Sequence, residues 1–332
     1  MVERLAILTP KREEAGHCAC YATVDKNSNR DEMMQHSDMT AKVASGKGFI
    51  AALDQSGGST PKALKGYGIE EGAYSGDEEM FGLIHAMRSR IITAPVFTGD
   101  KVLGAILFEK TMDGTVDGKP TPTALTDRGV VPFIKIDKGL ENEVNGVQLM
   151  KPMPELSALL TRAKGLGVFG TKERSVINLG NREGIAAVVK QQFEVGKEVL
   201  AHGLMPIIEP EVNIKSAERA QADQILLEEI LKELDALPEG QQVMLKLSIP
   251  AKAGLFDPLV DHPKVLRVVA LSGGFARPEA CAELAKNRGM IASFSRALLE
   301  DLRHQMTDVE FNASLGGAID EIFEASTDKV SA

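Results

Sequence analysis

From Gly46 to the end of the chain, short apolar runs alternate with longer, more polar stretches in which apolar residues return every three or four positions. The short runs, at 49–53, 105–108, 130–136, 168–171, 205–208, 243–248, 266–271 and 290–294, have the length and composition of strands. Several of the stretches between them carry helix signals. Residues 183–202 place Ile185, Val188 and Val189 on one face, with Gly203 just past the end. Ser216 opens another helix and Pro238 follows its close, while Thr307-Asp308-Val309-Glu310 has the form of a capping box before a last helix reaching about Ser326. Eight β-then-α units predict an α/β protein folded as a single (β/α)8 barrel, with a doubly wound open sheet as the competitor. Residues 1–40 lack this pattern and read as a mobile N-terminal extension ahead of a barrel domain over 41–332; Met33, Met34 and Met39 are alternative starts.

The polar residues that interrupt the apolar runs sharpen this picture. At or near the C-terminal end of each run stands Asp54, Glu109, Lys135 with Asp137, Lys172 with Arg174, Glu209 with Glu211, Lys246, Ser272 or Arg296. In a barrel, those ends surround the mouth where active sites are built. Lys135, Lys172, Glu209 and Lys246 also recur at a fixed interval of 37 residues, which suits one register repeated around a barrel. Lys246 is the most telling of the set, because it sits inside Val243-Met244-Leu245-Lys246-Leu247-Ser248-Ile249-Pro250. A buried ammonium must be paired or partly neutral, and a neutral lysine amine forms Schiff bases with carbonyl compounds. Snorkelling to water, or a structural ion pair, is the ordinary alternative.

Alternation within this run turns Met244, Lys246 and Ser248 to one face, the barrel interior. If Lys172 shares that interior, two cations in one cavity would depress the pKa of one of them. Glu209 could then shuttle the protons that carbinolamine formation requires. Glu211, across Pro210, could join it or simply pair with Lys172 or Arg174. Two loops suit anions: Ser272, Gly273 and Gly274 after run seven, beside Arg296 after run eight, and Ser59 with Lys62 in the glycine-rich segment after run one. Together they imply an elongated substrate with an anion at each end.

Composition narrows the classes. The 332 residues are 43% hydrophobic and 26% charged, enough for a large core, and a net charge of −9 with no basic cluster argues against nucleic-acid or membrane-surface binding. No apolar stretch approaches a membrane span, and no export signal is evident, so a cytoplasmic location is expected. Three cysteines suggest reduced thiols; Cys18 and Cys20 beside His17 make a weak metal motif. None of the six histidines ends a strand, so no metal is expected at the site. Gly165-Leu166-Gly167-Val168-Phe169-Gly170 matches a dinucleotide fingerprint but runs from helix into strand, the reverse of the required context.

Six segments carry a family resemblance. They are Gly48-Phe49-Ile50-Ala51-Ala52-Leu53-Asp54-Gln55-Ser56-Gly57-Gly58-Ser59, Ile134-Lys135-Ile136-Asp137-Lys138-Gly139, Ile208-Glu209-Pro210-Glu211, Met244-Leu245-Lys246, Leu271-Ser272-Gly273-Gly274 and Ser295-Arg296-Ala297-Leu298. Together they resemble the class I fructose-bisphosphate aldolases, most closely the short bacterial form, over roughly residues 46–326. The resemblance implies a cofactor-free, metal-independent lyase of glycolysis and gluconeogenesis acting on a sugar bisphosphate. By that resemblance Lys246 is the Schiff-base lysine, Glu209 the proton shuttle and Lys172 the cation assisting carbinolamine chemistry, while Asp54 helps deprotonate the C4 hydroxyl. Ser272, Gly273 and Arg296 would bind the phosphate of the dihydroxyacetone end. Ser59, Lys62, Lys135 and Arg174 would lie near the other phosphate or the sugar hydroxyls. The chain departs from the animal pattern in having no tyrosine after Tyr74, Ala63 in place of an arginine, and Phe294-Ser295 for Tyr-Gly. Other sugar phosphates, such as sedoheptulose 1,7-bisphosphate or fructose 1-phosphate, and a non-catalytic sugar-phosphate binder are the alternatives. A homo-oligomer is compatible with the sequence.

Overall fold

The computed structural model describes residues 26–330. Its eight main strands are β1 Phe49–Leu53, β2 Val102–Leu107, β3 Val131–Lys135, β4 Gly170–Ile177, β5 Met205–Val212, β6 Val243–Ser248, β7 Val265–Leu271 and β8 Ile291–Ala292. Each pairs in parallel with the next in chain order. The ends of the sheet meet where Ala52 N–H donates to Phe294 O at 3.1 Å, giving the nearly closed (β/α)8 barrel that the pattern predicts. Strands β1 and β6 coincide with their apolar runs. Strand β4 starts later and runs to Ile177, well past the predicted end at 171. Lys172, Glu173 and Arg174 break the apolar signal, while the ladder to β5 continues through them.

Among the described residues, the helices of eight residues or more surround the barrel or cover its ends: α1 Lys26–Ser45, α2 Ser59–Gly66, α3 Gly76–Thr93, α4 Leu156–Gly165, α5 Arg182–Ala201, α6 Arg219–Ala236, α7 Arg277–Ala285 and α8 Asp308–Thr327. Helix α5 is capped by the Asn181 side chain, which accepts from Gly184 N–H, and ends just before Gly203 at φ +75°. Helix α8 has the expected capping box, with Thr307 and Glu310 each bonding the other's backbone N–H. Gly165 closes α4 and Gly170 opens β4, so the G-x-G-x-x-G run has no dinucleotide context.

Alternation along the strands divides the core in two. Ile50, Ala52, Ile106, Phe133, Ile207, Met244 and Val269 fill the lower barrel interior, whereas Ala51, Leu53, Ala105, Leu245 and Leu247 pack outward against the helices. Residues 26–40, which the pattern assigns to a mobile extension, instead belong to α1, so a boundary at 41 falls inside a helix. This helix covers the N-terminal mouth of the barrel. Met39 and Val43, four residues apart, reach the interior cluster, and His36 packs 4.9 Å from Phe169. Lys42 Nζ donates to Gly99 O at 2.9 Å and Arg267 Nη1 to Ala44 O at 2.6 Å. The helical period is faint in the sequence because few apolar residues mark the inner face. His17, Cys18 and Cys20 lie outside the described residues. Among the described residues no helix is long and apolar enough to cross a membrane, and no group of three or more His, Cys, Asp and Glu could hold a metal ion.

Candidate active site

The upper half of the barrel interior is polar and opens into a cavity of about 970 Å³ at the C-terminal ends of the strands. Its floor is a chain of alternating charges. Lys246 Nζ lies 3.0 Å from Glu209 Oε1, Glu209 Oε2 lies 2.9 Å from Lys172 Nζ, and Lys172 Nζ lies 2.8 Å from Asp54 Oδ2. All four side chains are nearly inaccessible, with Lys246 4% and Lys172 2% exposed. They come from the end of β1 and from β4, β5 and β6, and meet because each occupies an inward position one or two residues above the apolar layer. The interval of 37 residues reflects register: Lys135 pairs with Lys172 and Ile207 with Met244, whereas β4 and β5 are offset by two, Lys172 facing Ile207.

The cluster sets its own protonation. Burial opposes the charge on Lys172, but Asp54 and Glu209 outweigh it and hold the ammonium above the usual lysine range. Burial would likewise raise Asp54, yet Lys172 and Lys246 override it and keep the carboxyl well below its usual range. The expectation that crowding two lysines would neutralise one is therefore corrected for Lys172. Two carboxylates accompany the two lysines, so attraction exceeds repulsion.

The remaining predicted residues line the same cavity: Ser59 and Lys62 from the start of α2, Lys135 from β3, Arg174 from β4, Glu211 from β5, and Ser272, Gly273, Gly274 and Arg296 from the loops after β7 and β8. Lys135 Nζ lies 2.6 Å from Asp137 Oδ1, and Arg174 Nη1 lies 2.7 Å from Glu211 Oε2. Glu211 thus takes the pairing role, with no ion pair to Lys172 or Lys246. Ser59 Oγ donates to Ser56 O at 2.8 Å and accepts from Ser56 N–H at 2.9 Å, so its hydroxyl proton is engaged within the turn. Gly273 and Gly274 adopt φ of +61° and +116°. Their N–H groups donate to no protein acceptor among the described residues. A Cβ at Gly273 would stand 2.6 Å from Ile214 Cγ2, which restricts the position to glycine. Arg296 has no carboxylate within ion-pair distance among the described residues.

Three residues carry little signal in the sequence. Gln55 ties the first loop to the last, its Nε2 donating to Ser295 Oγ at 2.6 Å. Arg88, fully buried on α3, donates to Gln55 O at 2.5 Å and to Thr111 Oγ1 at 2.7 Å. Burial pushes its pKa down to about 10, with partial compensation from Asp54. Glu173 points away from the cavity on β4 and is wholly buried with neither oxygen in a well-formed hydrogen bond. Burial, with Asp137 and Glu209, pushes its pKa well above the usual carboxylate range against the opposing pull of Lys172 and the Thr171 hydroxyl. Gln55 follows Asp54 in a motif already singled out; Arg88 and Glu173 show only as charges among apolar neighbours.

The family model of class I fructose-bisphosphate aldolase matches residues 35–249, more than half of the chain. The chain belongs to the class I fructose-bisphosphate aldolase family. Strands β1 to β6, with all four charges of the floor, fall within the matched span. A crystal structure of fructose-bisphosphate aldolase from Plasmodium falciparum, in complex with TRAP and an inhibitor, superimposes with a TM-score of 0.74 at 19% identity, covering 91% of this chain and 96% of that one. A structural-genomics protein from Corynebacterium glutamicum gives a TM-score of 0.51 at 14% identity, covering 92% and 98%. At such identities the likeness to these two structures concerns the fold. What characterises the present aldolase-family barrel locally is the charge chain from Asp54 to Lys246, closed beneath by apolar layers and open above to the two loops.

Proposed function

We propose that this protein is a fructose-bisphosphate aldolase, reversibly cleaving fructose 1,6-bisphosphate to dihydroxyacetone phosphate and glyceraldehyde 3-phosphate through a Schiff base on Lys246. The observation that carries the reading is the contact of Lys246 with Glu209 at 3.0 Å, with Lys172 2.9 Å from the other Glu209 oxygen. Glu209 accepts a proton from Lys246, and the freed amine attacks the C2 carbonyl of the open-chain sugar. The attack leaves an alkoxide beside a doubly protonated nitrogen; one nitrogen proton passes to that oxygen to give the neutral carbinolamine, and Glu209 then returns the first proton to the hydroxyl, which leaves as water and gives the iminium. Lys172, held protonated, stabilises the carboxylate and the developing oxygen charge on either side of this exchange. Asp54 lies beyond Lys172 and takes the C4 hydroxyl proton. The C3–C4 bond then breaks, glyceraldehyde 3-phosphate leaves, and the bonding pair passes into the iminium to form an enamine. Protonation of that enamine at C3 and hydrolysis release dihydroxyacetone phosphate and restore Lys246.

Arg296, Ser272 and the N–H groups of Gly273 and Gly274 form the grip on the dihydroxyacetone phosphate end. Lys135 and Arg174 already face carboxylates, which suits them to sugar hydroxyls better than to a phosphate dianion. No step calls on a metal or cofactor. Glycolytic and gluconeogenic use in the cytoplasm goes with this reading.

Borohydride reduction in the presence of EDTA and dihydroxyacetone phosphate, followed by peptide mass mapping, tests it. A stable adduct on Lys246 is the expected result. Binding of dihydroxyacetone phosphate with Lys246 unmodified would instead support a non-catalytic sugar-phosphate binder. A panel including sedoheptulose 1,7-bisphosphate and fructose 1-phosphate then ranks the substrates.

A further inference from the structure

The cations around the cavity fall into two groups. Lys135, Lys138, Lys172, Arg174 and Lys246 each face a carboxylate at 3.0 Å or less. Lys62, Arg296 and Arg303 line the same cavity, and none of them has a carboxylate within ion-pair distance among the described residues. Uncompensated cations at the edge of a cavity mark where an anion is received, because the site is otherwise left with unbalanced charge. Arg296 belongs to the grip already described; Lys62 and Arg303 do not.

Arg303 is held in a fixed posture. Its Nη1 donates to Glu300 O at 2.7 Å and to Leu302 O at 2.8 Å, and no acceptor among the described residues engages Nε or Nη2. The free Nε–Nη2 edge has the geometry that takes two oxygens of one phosphate. The adjoining segment is bound to the end of α2, with His304 N–H donating to Tyr67 O at 2.7 Å and Gln305 Nε2 to Gly68 O at 3.3 Å. Along α2 the cavity wall is low: Ala63 is short, and a Cβ at Gly66 would meet nothing within 4 Å. Lys62 and Gly66 are four residues apart and so lie on one face of the helix. Glu300 also lines the cavity, but its carboxylate accepts from Arg277 N–H at 3.2 Å and lies 3.8 Å from the Arg277 guanidinium.

We propose that Arg303, with Lys62, binds the phosphate at the end of the substrate remote from Arg296 and sets the preference for doubly over singly phosphorylated sugars. This rests on the sugar-phosphate reading above and adds a residue to it. Neither Ser59, whose hydroxyl proton is engaged in its turn, nor Lys135 or Arg174, which are paired, supplies a free donor there.

The test is an Arg303→Gln variant assayed with fructose 1,6-bisphosphate and fructose 1-phosphate. The ratio of kcat/KM for the two should fall about 10- to 100-fold, the range of charge-assisted hydrogen bonds, chiefly through KM for the bisphosphate, with Arg303→Lys restoring part of it. An unchanged ratio, or equal loss on both sugars, overturns the proposal. Calorimetric binding of the same two sugars to Lys246→Met, with and without Arg303→Gln, reads the subsite without turnover. If the wild type cleaves neither sugar, the catalytic reading fails, and the subsite stands or falls on whether Arg303→Gln weakens binding of the bisphosphate selectively.

Discussion

The most informative single residue is a lysine set against a carboxylate. On the proposed mechanism Lys246 gives up a proton before it attacks a carbonyl, and the 3.0 Å contact places Glu209 where it can receive that proton. Lys246→Met should abolish cleavage, by at least about 10³-fold in kcat, while circular dichroism and thermal unfolding show a folded barrel. Turnover persisting in this variant would remove the Schiff-base mechanism. Glu173, one residue from Lys172, is in the opposite situation: its carboxyl is buried on the outer face of β4 with neither oxygen in a well-formed hydrogen bond. In the unfolded chain it ionises near 4.5, whereas in the folded protein burial, with Asp137 and Glu209, keeps it protonated to higher pH. Above 4.5 the folded state therefore holds the extra proton, and stability falls as pH rises toward the folded pKa. Glu173→Gln removes this titration, so its melting temperature relative to wild type should rise from pH 5 to pH 8. A constant difference across that range would show Glu173 to be ionised in the fold. Asp54 has the reverse sign. Its pairing with Lys172 contributes stability above about 3.8, lost as pH falls through the lower folded value.

At the scale of elements, the site depends on loops that are tied down rather than on the strands alone. The first and last loops are joined by Gln55 to Ser295, and Arg88 anchors Gln55 from below. The segment carrying Arg296 is braced by Arg277, whose Nε lies 2.7 Å from Glu321 of α8 and whose Nη2 pairs with Asp301. Helix α8 is fixed at its start by the Thr307–Glu310 box. Thr307→Ala should cost about 1 kcal/mol of unfolding free energy in denaturant, with kcat unaffected, because the cap is exposed and Thr307 does not line the cavity. A loss of activity without a loss of stability would mean that the helix start acts on the Arg296 segment directly.

At the scale of the molecule, the barrel is divided across its axis into a dry lower half and a charged upper half. Phe169 and Phe133, their rings 5.4 Å apart and edge to face, fill the lower half against α1. Phe169→Ala should destabilise the protein by about 3–5 kcal/mol in denaturant unfolding, since the closed barrel has little freedom to collapse around the void. A cost below about 1 kcal/mol would show that α1 moves in to fill the space. Much of this organisation is legible in the chain. The eight apolar runs, the capping box at Thr307 and the charges at strand ends point to the barrel, because strands buried on both faces must be apolar except where the mouth admits water. Periodicity can place Lys246 inward, but it cannot say that Lys172 is pinned between Asp54 and Glu209, since that pairing depends on the two-residue offset between β4 and β5. Nor can it find α1 as a cover for the barrel mouth, or separate the paired cations Lys135 and Arg174 from Arg296 and Arg303, which meet no carboxylate among the described residues. Local sequence determines which residues alternate and where a segment starts and stops. Which charges neutralise one another is decided only when distant strands close into a ring, because Coulomb partners are set by distance in space and not along the chain.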